Sequence, residues 1–399
     1  MGTPSTNYRG QVLMWLLLGM AGTSTAGSLP VDKLTRPDAP RLIVVPGDCI
    51  INARSPAGRV SVSDVFVRAV VMVNDGPEKL ALRQVSFDLR RGARSIKSTA
   101  YGPAALAERA ETFRKVLGQV RGDAGRLVFG SDTTIALGAC ADSTVLSPGE
   151  QCGILREHFR VRSRELPDSM VVTVRYDIGN QEESVSRTVP VREHETMNAY
   201  TFPLKGAWVA FGTYDDVYQH RLFSMEEFGF DLAALGTNGQ AYSGEGTRNE
   251  DFPMYGRDVL AVADGVVTSA VDSLPENVPG TSPSPDELEK LVQKVGFASA
   301  LAGNHVIIAH HGGEHSFYAH LMSGSVVAKP GQKVRQGDRI GRLGNSGNST
   351  GPHLHYQLMD GPTLFSRGLP CRFTNTSDGY PGGDPIPLIV QNAALFIAK

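Results

Sequence analysis

The chain has 399 residues, with 39 basic against 41 acidic side chains and a formal net charge of −2. That length predicts two or three domains with ample apolar material for their cores. In the balanced charge nothing argues for nucleic acid or an anionic membrane surface as a partner, so partners have to be read from a site.

The first element is an apolar run from Val12 to Ala21, preceded by Arg9 and followed by Ser24-Thr25-Ala26. This pattern predicts a secretory signal, residues 1–26, cleaved after Ala26. The run is too short to span a bilayer, which takes about 20 apolar residues, and no second stretch approaches that length. The chain is therefore expected to be exported, to the periplasm or beyond, with no transmembrane segment in its mature form. In such a compartment Cys49, Cys140, Cys152 and Cys371 could form two disulfides in any of three pairings. Cys140 and Cys152 bracket a short turn-containing segment, and closing it is the least demanding choice.

From Pro40 to Pro190 the pattern is one of short strands. Leu42–Val45, Val60–Val73, Gln84–Leu89, Val128–Leu137 and Val171–Tyr176 are rich in β-branched residues and are separated by turn clusters such as Asn74-Asp75-Gly76-Pro77. Strands at this spacing predict an immunoglobulin-like β-sandwich over residues 27–195. One helix interrupts it: Pro103 suits a first helical position, and Leu106, Ala110, Phe113, Leu117 and Val120 recur at helical spacing. His158 and His194 have no companions and read as surface or satisfied histidines.

The second half, residues 196–399, is also expected to be an antiparallel β-sheet domain, which makes the chain mainly β. Tyr255 to Val267 reads as two strands joined by Ala263-Asp264-Gly265. Residues 273–302 form a surface excursion, Pro- and Ser-rich and then helical around Asp286 to Val295, long enough to suggest a cleft wall. His305–His310 and His315–His320 form a hairpin about a glycine turn, and Tyr318 and His320 share a face by the period of two. A Gly-, Asn- and Ser-rich loop then leads into His353-Leu354-His355-Tyr356. On a strand His353 and His355 point the same way, so two imidazoles aim at one place. Eight of the ten histidines fall between His220 and His355, which raises the odds of a metal site.

Tyr318-Ala319-His320-Leu321, Gly331-Gln332-Lys333-Val334 and Gly351-Pro352-His353-Leu354-His355 resemble the motifs of the lysostaphin-type zinc endopeptidases, the M23 family, in the same order. The resemblance spans roughly Tyr200 to Phe373. It implies a zinc metalloendopeptidase that cuts peptides of bacterial cell-wall peptidoglycan, with one zinc ion per chain. By resemblance His220, Asp231 and His355 hold the zinc, leaving a fourth position for water. His353 is then the general base, and His320 steadies the oxyanion or shares the proton work, with a lesser role for the Tyr318 hydroxyl. His305, His310, His311 and His315 read as exposed, structural histidines.

One departure from the family stands out. His220 precedes Asp231 by eleven residues, whereas in the family the two ligands usually stand close together. Either a longer loop carries His220 back to the metal, or the first ligand is lost. The first alternative is the expectation. The second leads to a rival of another class, a catalytically inactive relative that binds the wall or activates an amidase. An exported protease acting on glycine-rich proteins is a further alternative.

Overall fold

The computed structural model describes residues 39–399 apart from 58–59, 120–124, 126–127, 131–134, 136–137, 215–219, 282, 380–384 and 386–393. The expected signal, residues 1–26, lies outside the described residues, as does Val120. Among those described, the chain is mainly β with mostly antiparallel sheets. No helix among them is long and apolar enough to cross a membrane. The chain divides into two compact units, one ending at His194 and the other beginning at Glu195.

In the first unit, β1 (Arg41–Val45), β2 (Val60–Val73) and β5 (Glu150–Ser163) make one sheet, with β2 in the middle. β3 (Leu80–Arg91), β4 (Arg94–Tyr101), β6 (Ser169–Ile178) and β7 (Gln181–Arg192) make a second, in the order β7–β6–β3–β4. The two share a core: Met170, Val172, Val174 and Tyr176 of β6 point inward at a period of two, toward Val65, Val67, Val70 and Met72 of β2. Each such side chain, fully buried, contributes about 1.5–3 kcal/mol. The opposite face of β2, Ala69 and Val71, is covered by α1 (Pro103–Gln119) through Phe113 and Leu117. Cover on both faces is why Val65 to Met72 reads as a nearly unbroken apolar run.

Two expectations for this unit are corrected. Val128 and Phe129 are helical and Ile135 lies in a 3-10 turn, not in a strand. Phe129 and Ile135 fill the core beside Phe113 and Leu117, so the side of β2 that faces the helix claims these apolar residues. Cys140 and Cys152 are not joined by a disulfide. Cys152 points into the core between the sheets, while Cys140 packs on the helix side of the same sheet, so their short sequence separation does not bring them face to face. Burial, with Cys140 adding to it, pushes the Cys152 thiol up to about 12.

The second unit is built on one long sheet. Its main strands are β8 (Gly206–Phe211), β9 (Phe230–Ala233), β10 (Gly265–Val271), β11 (Asn304–Ala309), β12 (His315–Leu321), β13 (Leu354–Met359) and β14 (Ala394–Ala398), in the order β10–β11–β12–β13–β9–β8–β14. The stretch around Ala263-Asp264-Gly265 is not a hairpin. Asp258–Leu260 pairs with Arg339–Arg342 in a separate two-stranded sheet, and the buried run Ala261–Ala263 carries the chain across to β10. The excursion contains α2 (Pro285–Val295) and α3 (Phe297–Ala302). Ser284 and Glu287 form a reciprocal capping box at the start of α2.

The two faces of β13 differ in chemistry. Leu354, Tyr356 and Leu358 are fully buried, and the Tyr356 ring packs 5.5 Å from both Phe230 and Tyr318 and 5.7 Å from Phe373. The other face carries His355 and Gln357.

Candidate metal centre

Asp231 on β9 lies directly opposite His355 on β13, which in turn lies opposite Ala319 on β12. The Asp231 carboxylate is the shared neighbour of three imidazoles. Its Oδ1 is 3.0 Å from His355 Nδ1 and 3.6 Å from His353 Nε2, and its Oδ2 is 3.5 Å from His220 Nε2. One ligand atom each from His220, Asp231 and His355 falls within 4.8 Å of the others. Two imidazole nitrogens and a carboxylate oxygen at this spacing are a donor set that fits zinc.

His220 reaches the group because the segment after it folds into tight turns. Phe223 N donates to His220 O at 2.9 Å, Glu226 N to Phe223 O at 3.2 Å, and Gly229 N to Glu226 O at 2.7 Å. The turns shorten the eleven-residue interval and bring the His220 and His355 rings to 4.7 Å, edge to face. Gly229 is part of this fit, since a Cβ there would lie 3.2 Å from His355 Cε1.

His353 and His320 complete the cluster, with ring centroids 4.6 Å apart. The Nδ1 of His353 is 2.8 Å from Gly351 O and 3.2 Å from Ser349 Oγ, leaving Nε2 toward Asp231. His320 departs from the alternation expected of its strand. Ser316 and Tyr318 face the core, and the Tyr318 hydroxyl accepts from Val262 N at 3.0 Å. Strict alternation would send His320 to that side as well. Instead the backbone of His320 is left-handed, φ 60°, which turns its ring to the opposite side, 6.1 Å from His355. Tyr318 and His320 therefore do not share a face, and the Tyr318 hydroxyl is buried away from the cluster.

The charges follow from this packing. Burial alone would raise the Asp231 pKa, but the charges of His220, His353 and His355 outweigh it and hold the carboxyl well below the usual range. Burial alone would lower the pKa of His355, but the hydrogen bond and charge of Asp231 override it and raise it to about 9. His320 is kept well below the ordinary imidazole value by burial and by the neighbouring His353 and His355, so it is neutral.

Of the other histidines, His305 and His310 are buried, not exposed. His305 Nδ1 is 2.8 Å from Gly303 O; His310 Nδ1 is 2.8 Å from Asp264 O, and its Nε2 is 2.7 Å from Ser316 Oγ. Sequence reading missed the residues that hold the cluster in place. The Ser346 carbonyl accepts from His320 Nδ1 at 2.8 Å, and Gln357 Oε1 is 2.8 Å from His355 Nε2. The excursion grips the loop before His353: Asn277 Nδ2 donates to Gly347 O at 2.7 Å and to Ser349 O at 2.8 Å, and Glu276 Oε1 accepts from Asn345 N at 2.9 Å. Only Gln357 had a signal in the sequence, the two-residue period that follows His353 and His355.

Residues 289–365 match the model of peptidase family M23. That segment contains His320, His353 and His355, while His220 and Asp231 precede it. The chain is 50% identical over 98 residues to the peptidoglycan DD-endopeptidase ShyA of Vibrio cholerae, covering 25% of this chain and 20% of that protein. It is 47% identical over 55 residues to the DD-carboxypeptidase/endopeptidase Mpg of Neisseria meningitidis, covering 14% and 12%. Among solved structures, a zinc-containing peptidase from Vibrio cholerae aligns over 78% of this chain and 86% of its own, at 13% identity and a TM-score of 0.26. The chain spans about a fifth of the length of the first of these curated relatives. The resemblance read from the histidine motifs holds, and it resides in the second unit, which carries the segment that matches peptidase family M23.

Proposed function

We propose that the chain is an exported, zinc-dependent endopeptidase that hydrolyses peptide bonds of bacterial peptidoglycan. On this reading residues 196–399 are the peptidase domain and residues 27–195 an immunoglobulin-like accessory domain. One observation carries the proposal: His220, Asp231 and His355 present two nitrogens and a carboxylate oxygen within 4.8 Å of one another, despite the long interval between the first two. The match of residues 289–365 to peptidase family M23 supports it, as does the substrate named for the Vibrio cholerae relative.

His220, Asp231 and His355 would hold one zinc ion. When bound, zinc supplies a Lewis acid that polarises the scissile carbonyl and makes water a better acid. The remaining work belongs to the side chains. His353, anchored through Nδ1 at the Gly351 carbonyl, keeps Nε2 toward the site, where it takes a proton from the attacking water and returns it to the leaving amine. His320 is neutral and its Nδ1 hydrogen is committed to Ser346 O, so its Nε2 carries a free electron pair. A nitrogen in that state accepts protons, so His320 shares the proton with His353 and does not donate to an oxyanion.

The test is zinc content together with the loss of turbidity of purified walls, for the intact chain and for His220→Ala. Bound zinc and lysis that both vanish in the variant are expected. A metal-free, inert protein that still binds walls would replace this reading with the inactive relative.

A further inference from the structure

Gln357 is fully buried, yet its amide is only half matched. Oε1 lies 2.8 Å from His355 Nε2, whereas the amide nitrogen has no hydrogen-bond partner among the described residues. A buried, unmatched NH2 group is a cost that methionine or leucine of similar size would avoid. Packing therefore does not account for glutamine at this position.

Its neighbour does. A neutral imidazole carries one ring hydrogen, and the nitrogen that holds it cannot offer an electron pair. An amide oxygen only accepts, so in the neutral ring that zinc requires it places the hydrogen on His355 Nε2 and leaves a free pair on Nδ1. Nδ1 is the nitrogen 3.0 Å from Asp231 Oδ1, facing the other two members of the group. With the amide reversed, NH2 would face Nε2, the hydrogen would move to Nδ1, and the imidazole would close on Asp231 with no pair left for a cation.

We propose that Gln357 is a positioning residue, which fixes the tautomer of His355 and so presents Nδ1 to zinc. The proposal rests on the functional reading above. Gln357→Met removes the acceptor and keeps the volume, and Gln357→Glu keeps an acceptor.

Zinc affinity of the full chain, measured by competition with a chromogenic chelator, is expected to fall about 10–100-fold in Gln357→Met and to stay within about threefold of native in Gln357→Glu. In 15N spectra of the native, zinc-loaded chain, His355 is expected to carry its hydrogen on Nε2. This second measurement needs no variant and decides which nitrogen faces zinc, and Gln357→Leu, which also lacks the acceptor, replaces Gln357→Met if that variant does not fold. The proposal is overturned if Gln357→Met binds zinc as tightly as the native chain, or if the native His355 carries its hydrogen on Nδ1. Should the native chain bind no zinc at all, the functional reading falls with it. If the native chain binds zinc, His220→Ala does not and Gln357→Met does, only the role of Gln357 is lost.

Discussion

His320 donates through Nδ1 to the Ser346 carbonyl at 2.8 Å while its own backbone is left-handed, φ 60°. For a residue other than glycine that conformation costs about 1–3 kcal/mol, so the surroundings must hold it. Ser346 is braced in turn, its Oγ accepting from Asn304 N at 2.9 Å and donating to Leu321 O at 2.7 Å. The strain is what turns the His320 ring out of the core and beside His353. His320→Ala is therefore expected to keep its zinc and to lose about 10²–10⁴-fold in peptide hydrolysis. Metal analysis alongside turnover checks this; loss of zinc in parallel with activity would make His320 a ligand instead.

Gly303 ends α3 at φ 67°, and a Cβ there would run into the Ser346 carbonyl. Gly303→Ala combines left-handed strain with a collision at the group that orients His320. A loss of about 1–3 kcal/mol in urea unfolding is expected, with lower turnover and unchanged zinc content. Stability and turnover both equal to native would remove Ser346 from the argument.

These two residues show what could be read from the chain and what could not. The strands of the second unit were legible because their apolar and polar residues alternate, and His353 and His355 fell on one face for the same reason. Tyr318 and His320 were misread by the same rule, because a left-handed residue breaks the alternation and nothing in Tyr-Ala-His announces it. The convergence of His220 with Asp231 depended on three successive turns, which are set by backbone hydrogen bonds and not by a motif. The strand expected at Val128–Leu137 failed for another reason: Phe129 and Ile135 are apolar because they bury against α1, and that burial is a tertiary fact.

Asn277 ties the excursion to the loop before His353 through its bonds to Gly347 O and Ser349 O. Ser349 Oγ touches His353 Nδ1 at 3.2 Å and donates to Asn345 Oδ1 at 2.6 Å, so the grip reaches the proposed general base. Asn277→Ala should cost about 1–3 kcal/mol, since it removes two part-buried hydrogen bonds and leaves Gly347 O with only the Ser349 N–H. Lower turnover at constant zinc content is expected, read from thermal unfolding and kinetics; an unaltered rate would reduce the excursion to a passive wall.

Asp231 is the common neighbour of three imidazoles, so Asp231→Asn removes both a proposed ligand and the charge that holds the cluster together. Zinc retention after dialysis is expected to fall by at least about tenfold, with no measurable lysis of walls. Full zinc occupancy in this variant would mean that the carboxylate is not a ligand.

With zinc stripped by a chelator, His355 and Asp231 are left as an ion pair, and stability should depend on pH. Burial opposes the charge on His355, but Asp231 raises its folded-state pKa to about 9, above the unfolded value near 6.5. A pKa raised on folding gives stability that is complete below about 6.5 and is lost as the pH climbs through about 9. The urea midpoint of the stripped chain should therefore fall between pH 7 and pH 10, and Asp231→Asn should flatten the change. The loaded chain should behave in the opposite sense, because zinc requires His355 without its proton and binds more tightly as pH rises. A stripped chain whose midpoint does not fall over this range would mean that Asp231 and His355 are not paired in the absence of metal.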